Sequence, residues 1–189
     1  MSSLILTYVT SNDGKFEAAQ SVLPGLERLK VDVPEIQTLD MHELVREKLK
    51  AVVSMVPDAD KRILIVEDAG LIFEGMKDFP GPMLKWCQKG IGNDGLLKLY
   101  QAFECTYAEP VIVVGVQVPG KEAKFFEGRD RGTMIEPRGG NGFGYSPYFL
   151  PEGSAKTYAE DWSEGYRVRG LRKVKEYLQN ECSWRFQTV

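Results

Sequence analysis

Histidine is almost missing from this sequence: a chain of 189 residues carries one, His42. That scarcity excludes most Ser-His-Asp and Cys-His hydrolytic schemes unless the single residue stands in a cleft. Its place after a helix-start pattern, Asp40-Met41-His42-Glu43, reads instead as an exposed surface position. Any hydrolysis would therefore fall to carboxylates and metal. Cysteine is scarce too. Cys87, Cys105 and Cys182 are widely spaced with no CxxC pair, which argues against a zinc site or a disulfide framework and fits a reducing compartment. Long apolar runs are absent, and Met1-Ser2-Ser3 leads into a short apolar strand pattern with no basic region. Neither a signal peptide nor a membrane span is expected, and the reading is a cytoplasmic protein without a membrane partner. A formal net charge of −3 lacks the basic excess of a general nucleic-acid binder, although a local group of lysines and arginines can still hold a small anion. With no repeat, low-complexity segment or Ser/Gly-rich linker, residues 1–189 read as a single domain able to bury a full core.

What is present alternates between strand and helix patterns. Leu4 to Val9 reads as an apolar strand, and Thr10-Ser11-Asn12-Asp13-Gly14 as a turn into a helix with Phe16, Ala19, Val22 and Leu23 on one face. Leu26 to Val33 alternates as a second strand, Leu39 to Val56 is a long helical stretch, and Ile63-Leu64-Ile65-Val66 is a run suited to a strand buried on both faces. Gly92-Asn93-Asp94-Gly95 reads as a turn opening another helix. Val111 to Val118 and Ala123 to Glu127 form a hairpin around Pro119-Gly120, with a charged, solvated tip. Glycine, proline and aromatics dominate Arg138 to Pro151 without simple period, which marks a structured functional loop. An amphipathic helix closes the chain over 166–180, and the aromatic tail at Trp184 and Phe186 is expected to pack on the body or on a partner. The fold class is therefore α/β: a mixed twisted sheet with flanking helices and a second, hairpin-containing lobe, with ligand held between the lobes.

The chemistry concentrates after the 63–66 run, where Glu67 and Asp68 are expected at the strand end. Ligands of open α/β sheets gather outside the carboxyl ends of strands, so these acids suit a hard divalent cation or the activation of a water, or else one of them caps a turn. In Thr10-Ser11-Asn12-Asp13-Gly14-Lys15 small polar residues precede a helix N-terminus, where free N–H groups and the helix dipole favour phosphate oxygens and Lys15 adds a full charge. The same residues also serve as an ordinary capped helix start, and the Walker A spacing is absent. Glu35, in Pro34-Glu35-Ile36-Gln37, supplies a further carboxylate. With Glu67 and Asp68 it could complete a Mg2+ site, since that ion is held by one or two carboxylates plus phosphates and waters. Lys85 follows the acids by seventeen residues from Asp68 and either reaches a triphosphate or is a solvated surface lysine.

Four blocks in order carry a resemblance: Thr10-x-Asn12-x-x-Lys15; Val66-Glu67-Asp68-x-Gly70-Leu71; Phe79-Pro80-Gly81-Pro82-x-x-Lys85-Trp86; and Pro137-Arg138-Gly139 with Gly142-Phe143-Gly144-Tyr145-x-Pro147-x-Phe149, continued by Pro151-Glu152-Gly153 and Thr157-Tyr158-Ala159-Glu160. Over nearly its whole length the chain resembles the inosine/xanthosine triphosphate pyrophosphatase family, which removes deaminated purine nucleotides. The resemblance implies a two-lobed α/β homodimer and Mg2+-dependent hydrolysis of ITP, dITP or XTP to the monophosphate and pyrophosphate. By the same resemblance Thr10, Asn12, Lys15 and Lys48 hold the triphosphate and Lys85 neutralises phosphate charge. Glu35 and Asp68 serve the metal, Asp68 with Glu67 serves catalysis, and Phe143, Gly144 and Tyr145 wall the base.

The chain departs from the family pattern where the base is read. Ser146 replaces an aspartate, and Asp161-Trp162-Ser163-Glu164-Gly165-Tyr166-Arg167 is a shorter loop with Tyr166 at a histidine position, a lysine lost and Arg167 kept. These changes alter the hydrogen bonds offered to a keto-purine. Two alternatives follow: the same chemistry on another base, or a nucleotide-binding regulator without turnover.

Overall fold

In the computed structural model, which describes residues 4–140, 142, 144–161 and 165–186, the elements run β1 (Ile5–Val9), α1 (Asp13–Val22), β2 (Glu27–Leu29), α2 (Met41–Met55), β3 (Arg62–Phe73), β4 (Pro80–Gly81), α3 (Leu84–Ala102), β5 (Ala108–Gln117), β6 (Lys124–Arg129), β7 (Gly132–Met134), β8 (Phe149–Pro151) and α4 (Tyr166–Cys182). The strands form one mixed sheet in the order β2-β1-β3-β5-β7-β8, with β4 added to β3 and β6 to β5. The pairs β1·β2 and β1·β3 are parallel, and the remaining pairs are antiparallel. The expected hairpin is present as β5 and β6, continuous with this sheet.

Side-chain alternation along β3 and β5 divides the interior into two layers. Ile63 and Ile65 of β3, with Ile112 and Val114 of β5, pack with α1, α3 and α4; Leu64 and Val66, with Val111 and Val113, pack with α2. Each face of the sheet is thus covered by helices whose apolar stripes match it. α4 lies close on the sheet because glycines meet where it crosses β6. A Cβ on Gly170 would stand 2.9 Å from Ile112 Cγ2 and 3.2 Å from the Gly128 nitrogen, and one on Gly128 would run into the Tyr166 carbonyl. That approach delivers Tyr166 and Arg167, the first residues of α4, into the interior.

Two strand boundaries differ from the sequence expectation. β2 is three residues long rather than reaching Val33, because its sole partner β1 pairs it only over Thr7–Val9. β3 does not end before the acids: it continues to Phe73, since β5 runs beside it over Leu64–Phe73. Glu67 and Asp68 are therefore mid-strand. Gly92, at φ 70 and ψ −178, is non-helical and divides α3 into two helical segments, so another helix opens after it as the sequence pattern indicates. His42 is less exposed than expected and its Nε2 lies 3.2 Å from Glu127 of the hairpin. Trp184 and Phe186 pack against the α4 side of the body. Among the described residues no helix is long and apolar enough to cross a membrane.

Candidate functional site

A gap in the sheet edge positions the site. Along one side of β3, pairing with β1 stops at Tyr8↔Ile65 and pairing with β4 starts at Leu71↔Gly81, so residues 66–70 have no strand neighbour there among the described residues. The first turn of α1 stands at this gap, because β1 ends at Val9 and the chain turns at once into the helix. Asn12 is its N-cap: Oδ1 accepts from the Lys15 N–H at 3.0 Å, while the Asn12 N–H donates to Thr10 Oγ1 at 3.1 Å. The capped helix start is present, and the cap leaves the Thr10 hydroxyl proton and the Asn12 Nδ2 uncommitted among the described residues. Lys15 bends into the gap, with Nζ 3.5 Å from Glu67 Oε1 and 3.8 Å from Asp68 Oδ1.

Consecutive residues of a strand face opposite ways, so Glu67 and Asp68 enter different surroundings. Glu67 points to the α1/α4 layer, where it is 2% exposed and ion-paired to the buried Arg167. Burial alone would push its pKa up, but the charges of Arg167 and Lys15 hold it below the usual carboxylate range. Burial likewise opposes the Arg167 charge, and the Glu67 carboxylate outweighs it, so the guanidinium stays protonated. The fully buried Tyr8 hydroxyl is held well above its ordinary pKa by burial and then by the Glu67 charge; Tyr8 Oη and Glu67 Oε2 both lack a hydrogen bond of normal geometry.

Asp68 points to the α2 layer. Lys48 of α2 donates to Asp68 Oδ2 at 2.9 Å and to Glu35 Oε1 at 2.7 Å, bridging the two carboxylates. Asp68 Oδ1 accepts the Ala69 N–H at 2.8 Å. Burial would raise the Asp68 pKa, and Lys15 and Lys48 bring it below the ordinary value. For Lys48, burial works against the charge, but Asp68 and Glu35 raise its pKa overall. The structure thus brings together Lys15, Glu35, Lys48, Glu67, Asp68 and Arg167 from five separate segments.

Other candidates stand apart from this cluster. Lys85 is exposed on α3, its Nζ 5.9 Å from the centre of the Trp86 ring, and forms no ion pair among the described residues. Phe143 lies outside the described residues. Gly144 accepts from Asn93 Nδ2 at 2.8 Å. Tyr145 is buried and donates to the Tyr166 hydroxyl at 3.1 Å, with burial holding its own proton firmly in place. Tyr166 and Arg167, read from the sequence as groups offered to a base, are both buried in this conformation and engaged with Tyr145 and Glu67.

Two contributors escaped the sequence reading. Arg28 of β2 braces the α1 turn, its Nε donating to the Thr10 carbonyl at 3.0 Å and its Nη1 to Asp13 at 2.5 Å. A guanidinium next to an otherwise apolar strand was the available signal. Tyr8 shares a face with Leu6 in an apolar strand, and its hydroxyl gave no hint of a carboxylate neighbour that is distant in sequence.

The oxygen donors suit a hard divalent cation. Asp68 and Glu35 already converge on one cationic atom. Among the described residues no group of three or more acidic, His or Cys side chains could hold a metal alone. A metal here would share its shell with phosphate oxygens and waters.

Comparison with known proteins identifies the family of the chain. The Ham1 family model matches residues 6–165. A dITP/XTP pyrophosphatase of Methanopyrus kandleri is 35% identical over 188 residues, covering 94% of this chain and 98% of that protein. An inosine triphosphate pyrophosphatase of Schizosaccharomyces pombe is 34% identical, covering 93% and 96%. Among solved structures, the Ham1 protein of Staphylococcus aureus superposes with a TM-score of 0.77 at 22% identity, covering 93% of this chain and 99% of that one. The chain belongs to the Ham1 family.

Proposed function

We propose that this chain hydrolyses a nucleoside triphosphate to the monophosphate and pyrophosphate, with ITP, dITP and XTP as its substrates and Mg2+ as its cofactor. The observation that carries this reading is Asp68 held between Lys15 and Lys48 at the gap beside the α1 N-terminus. The names of the pyrophosphatase relatives support the same reaction.

Each group has a task that its surroundings favour. Thr10, Asn12 and the first turn of α1 offer donors to phosphate oxygens, and Lys15 and Lys48 oppose the negative charge of the triphosphate. Glu35 and Asp68 would hold the Mg2+, which supplies withdrawal of charge from the phosphates when bound. Asp68, ionised and partly open to solvent, orients the attacking water and accepts its proton. Glu67 is too enclosed for that role; it anchors Lys15 and Arg167 instead. Lys85 supplies further charge from α3, and Gly144 and Tyr145, with Phe143, wall the base. No covalent intermediate is required, because water attacks phosphorus directly and pyrophosphate leaves. We take the working form to be a cytoplasmic homodimer, which sedimentation of the purified protein tests.

A second reading concerns the base alone. Tyr145, Tyr166 and Arg167 are committed to one another and to Glu67, which favours a preference profile altered from that of the pyrophosphatase relatives. The experiment is pyrophosphate release from ITP, dITP, XTP, GTP, ATP, dUTP and CTP with Mg2+, beside Asp68→Asn. Fast release from ITP or XTP, abolished in the variant, is the expected result. Fast release from another nucleotide supports the second reading, and binding without release from any nucleotide overturns the hydrolase.

A further inference from the structure

Helix α3 grips the loop that walls the base through a chain of side-chain amides. Beyond its kink at Gly92, Asn93 Nδ2 donates to the Gly144 carbonyl at 2.8 Å and Asn93 Oδ1 accepts from Gln88 Nε2 at 2.8 Å. The direction of this chain is not arbitrary. A backbone carbonyl only accepts, so the Asn93 NH2 must face Gly144 and its oxygen must face Gln88. The next residue, Asp94, accepts from the Tyr148 hydroxyl at 2.5 Å. Two adjacent side chains of α3 therefore fasten both ends of the 144–148 segment.

A peptide bond is planar and trans, so fixing one carbonyl fixes the N–H of the following residue on the opposite side. With the Gly144 oxygen turned to α3, the Tyr145 N–H points away from that helix, and no hydrogen bond among the described residues occupies it. Tyr145 itself leads back to the carboxylate site through Tyr166 and, next along α4, the Glu67-bound Arg167. Turning the 144–145 peptide over would change ψ of Gly144, which glycine tolerates, and would carry Tyr145 from φ −86 into the positive-φ region that a residue with a side chain disfavours. The Asn93 hydrogen bond adds to that restraint.

We propose that Asn93, oriented by Gln88, is a positioning residue for base specificity: it locks the Gly144–Tyr145 peptide so that the wall offers a donor rather than an acceptor. The inference rests on the reading of 144–145 as the base wall. A keto oxygen accepts from the Tyr145 N–H, whereas an exocyclic amino group meets another donor and is disfavoured. A peptide turned the other way would present the Gly144 oxygen and reverse that choice.

Asn93→Asp tests this with almost no change of shape. The new carboxylate still accepts from Gln88 but has no proton for Gly144, and its charge repels the carbonyl. Initial rates of pyrophosphate release from ITP, XTP, GTP and ATP would be measured for the wild type, Asn93→Asp and Gln88→Ala, together with their melting curves. The ITP-to-ATP ratio of kcat/KM is expected to fall about tenfold in Asn93→Asp, mainly through KM, and about threefold in Gln88→Ala. Ratios in both variants within about twofold of the wild type would overturn the proposal, a change smaller than one hydrogen bond carries. Should Asn93→Asp not fold, the Gln88→Ala ratio decides alone. A wild type releasing pyrophosphate from none of the four overturns the hydrolase reading and this inference with it, whereas an active wild type with unchanged variants overturns this inference only.

Discussion

Glu67 and Asp68 are chemically the same kind of residue, adjacent in sequence, and occupy opposite environments. The side chain of Glu67 is 1% exposed and paired with an arginine that is itself 7% exposed at its side chain. Asp68 is 14% exposed and shares Lys48 with Glu35, which is 45% exposed. One β-strand step separates a sealed ion pair from one open to solvent and ligand. The lesson is that position on the pleat, not residue type, divides anchoring from chemistry: a sealed carboxylate cannot approach a water, and an open one contributes less to holding the fold.

Substitution of Asp68 gives the sharpest contrast. Asp68→Asn is expected to lower kcat for pyrophosphate release by about a hundred- to ten-thousandfold, the range for a lost general base, with a smaller loss of stability than Arg167→Met gives. A variant retaining more than about a tenth of the wild-type rate would break the comparison. Arg167→Met should act on stability instead. Leaving Glu67 buried without its partner is expected to cost about 3–5 kcal/mol, read by urea unfolding, and the double variant Arg167→Met, Glu67→Leu should recover much of that loss.

Acid titration sharpens the same contrast. Glu67 and Asp68 have folded-state pKa values lowered from 4.5 and 3.8, so the stability they contribute is fully present above those values and is lost as pH falls through the lower, folded ones. The melting temperature should therefore hold steady down to about pH 5 and drop below about pH 4, and Glu67→Gln should flatten that drop. The smallest effect concerns the lysines. Lys15→Met should raise KM about tenfold or more through loss of a charge inside the site, whereas Lys85→Met, on an exposed helix start, should change it by less than about fivefold. Equal effects would mean that α3 moves toward the phosphates when substrate binds.

Much of the site was legible because its parts are local. Thr10, Asn12 and Lys15 belong to one strand-to-helix turn, and the helices at 41–55 and 166–182 follow from apolar period. What escaped depended on partners far along the chain. The length of β3 was set by β5, whose pairing residues such as Ala108, opposite Phe73, lie far along the chain, and the shortness of β2 by the end of β1. Arg28 carried no local signal of its role and Asn93 read only as part of a turn, whereas the fold puts the Thr10 and Gly144 carbonyls in front of them.

By itself the sequence determined the α/β class, the run of helices and strands, the family and the identity of the charged residues, since each follows from local period, turn chemistry and motif. Tertiary structure alone decided that Lys48 bridges Glu35 and Asp68, that Arg167 is spent on Glu67, and which of two neighbouring acids remains open. Those outcomes depend on where the sheet leaves a gap and on which face of the strand meets which helix, relations set by contacts between segments that no local pattern contains.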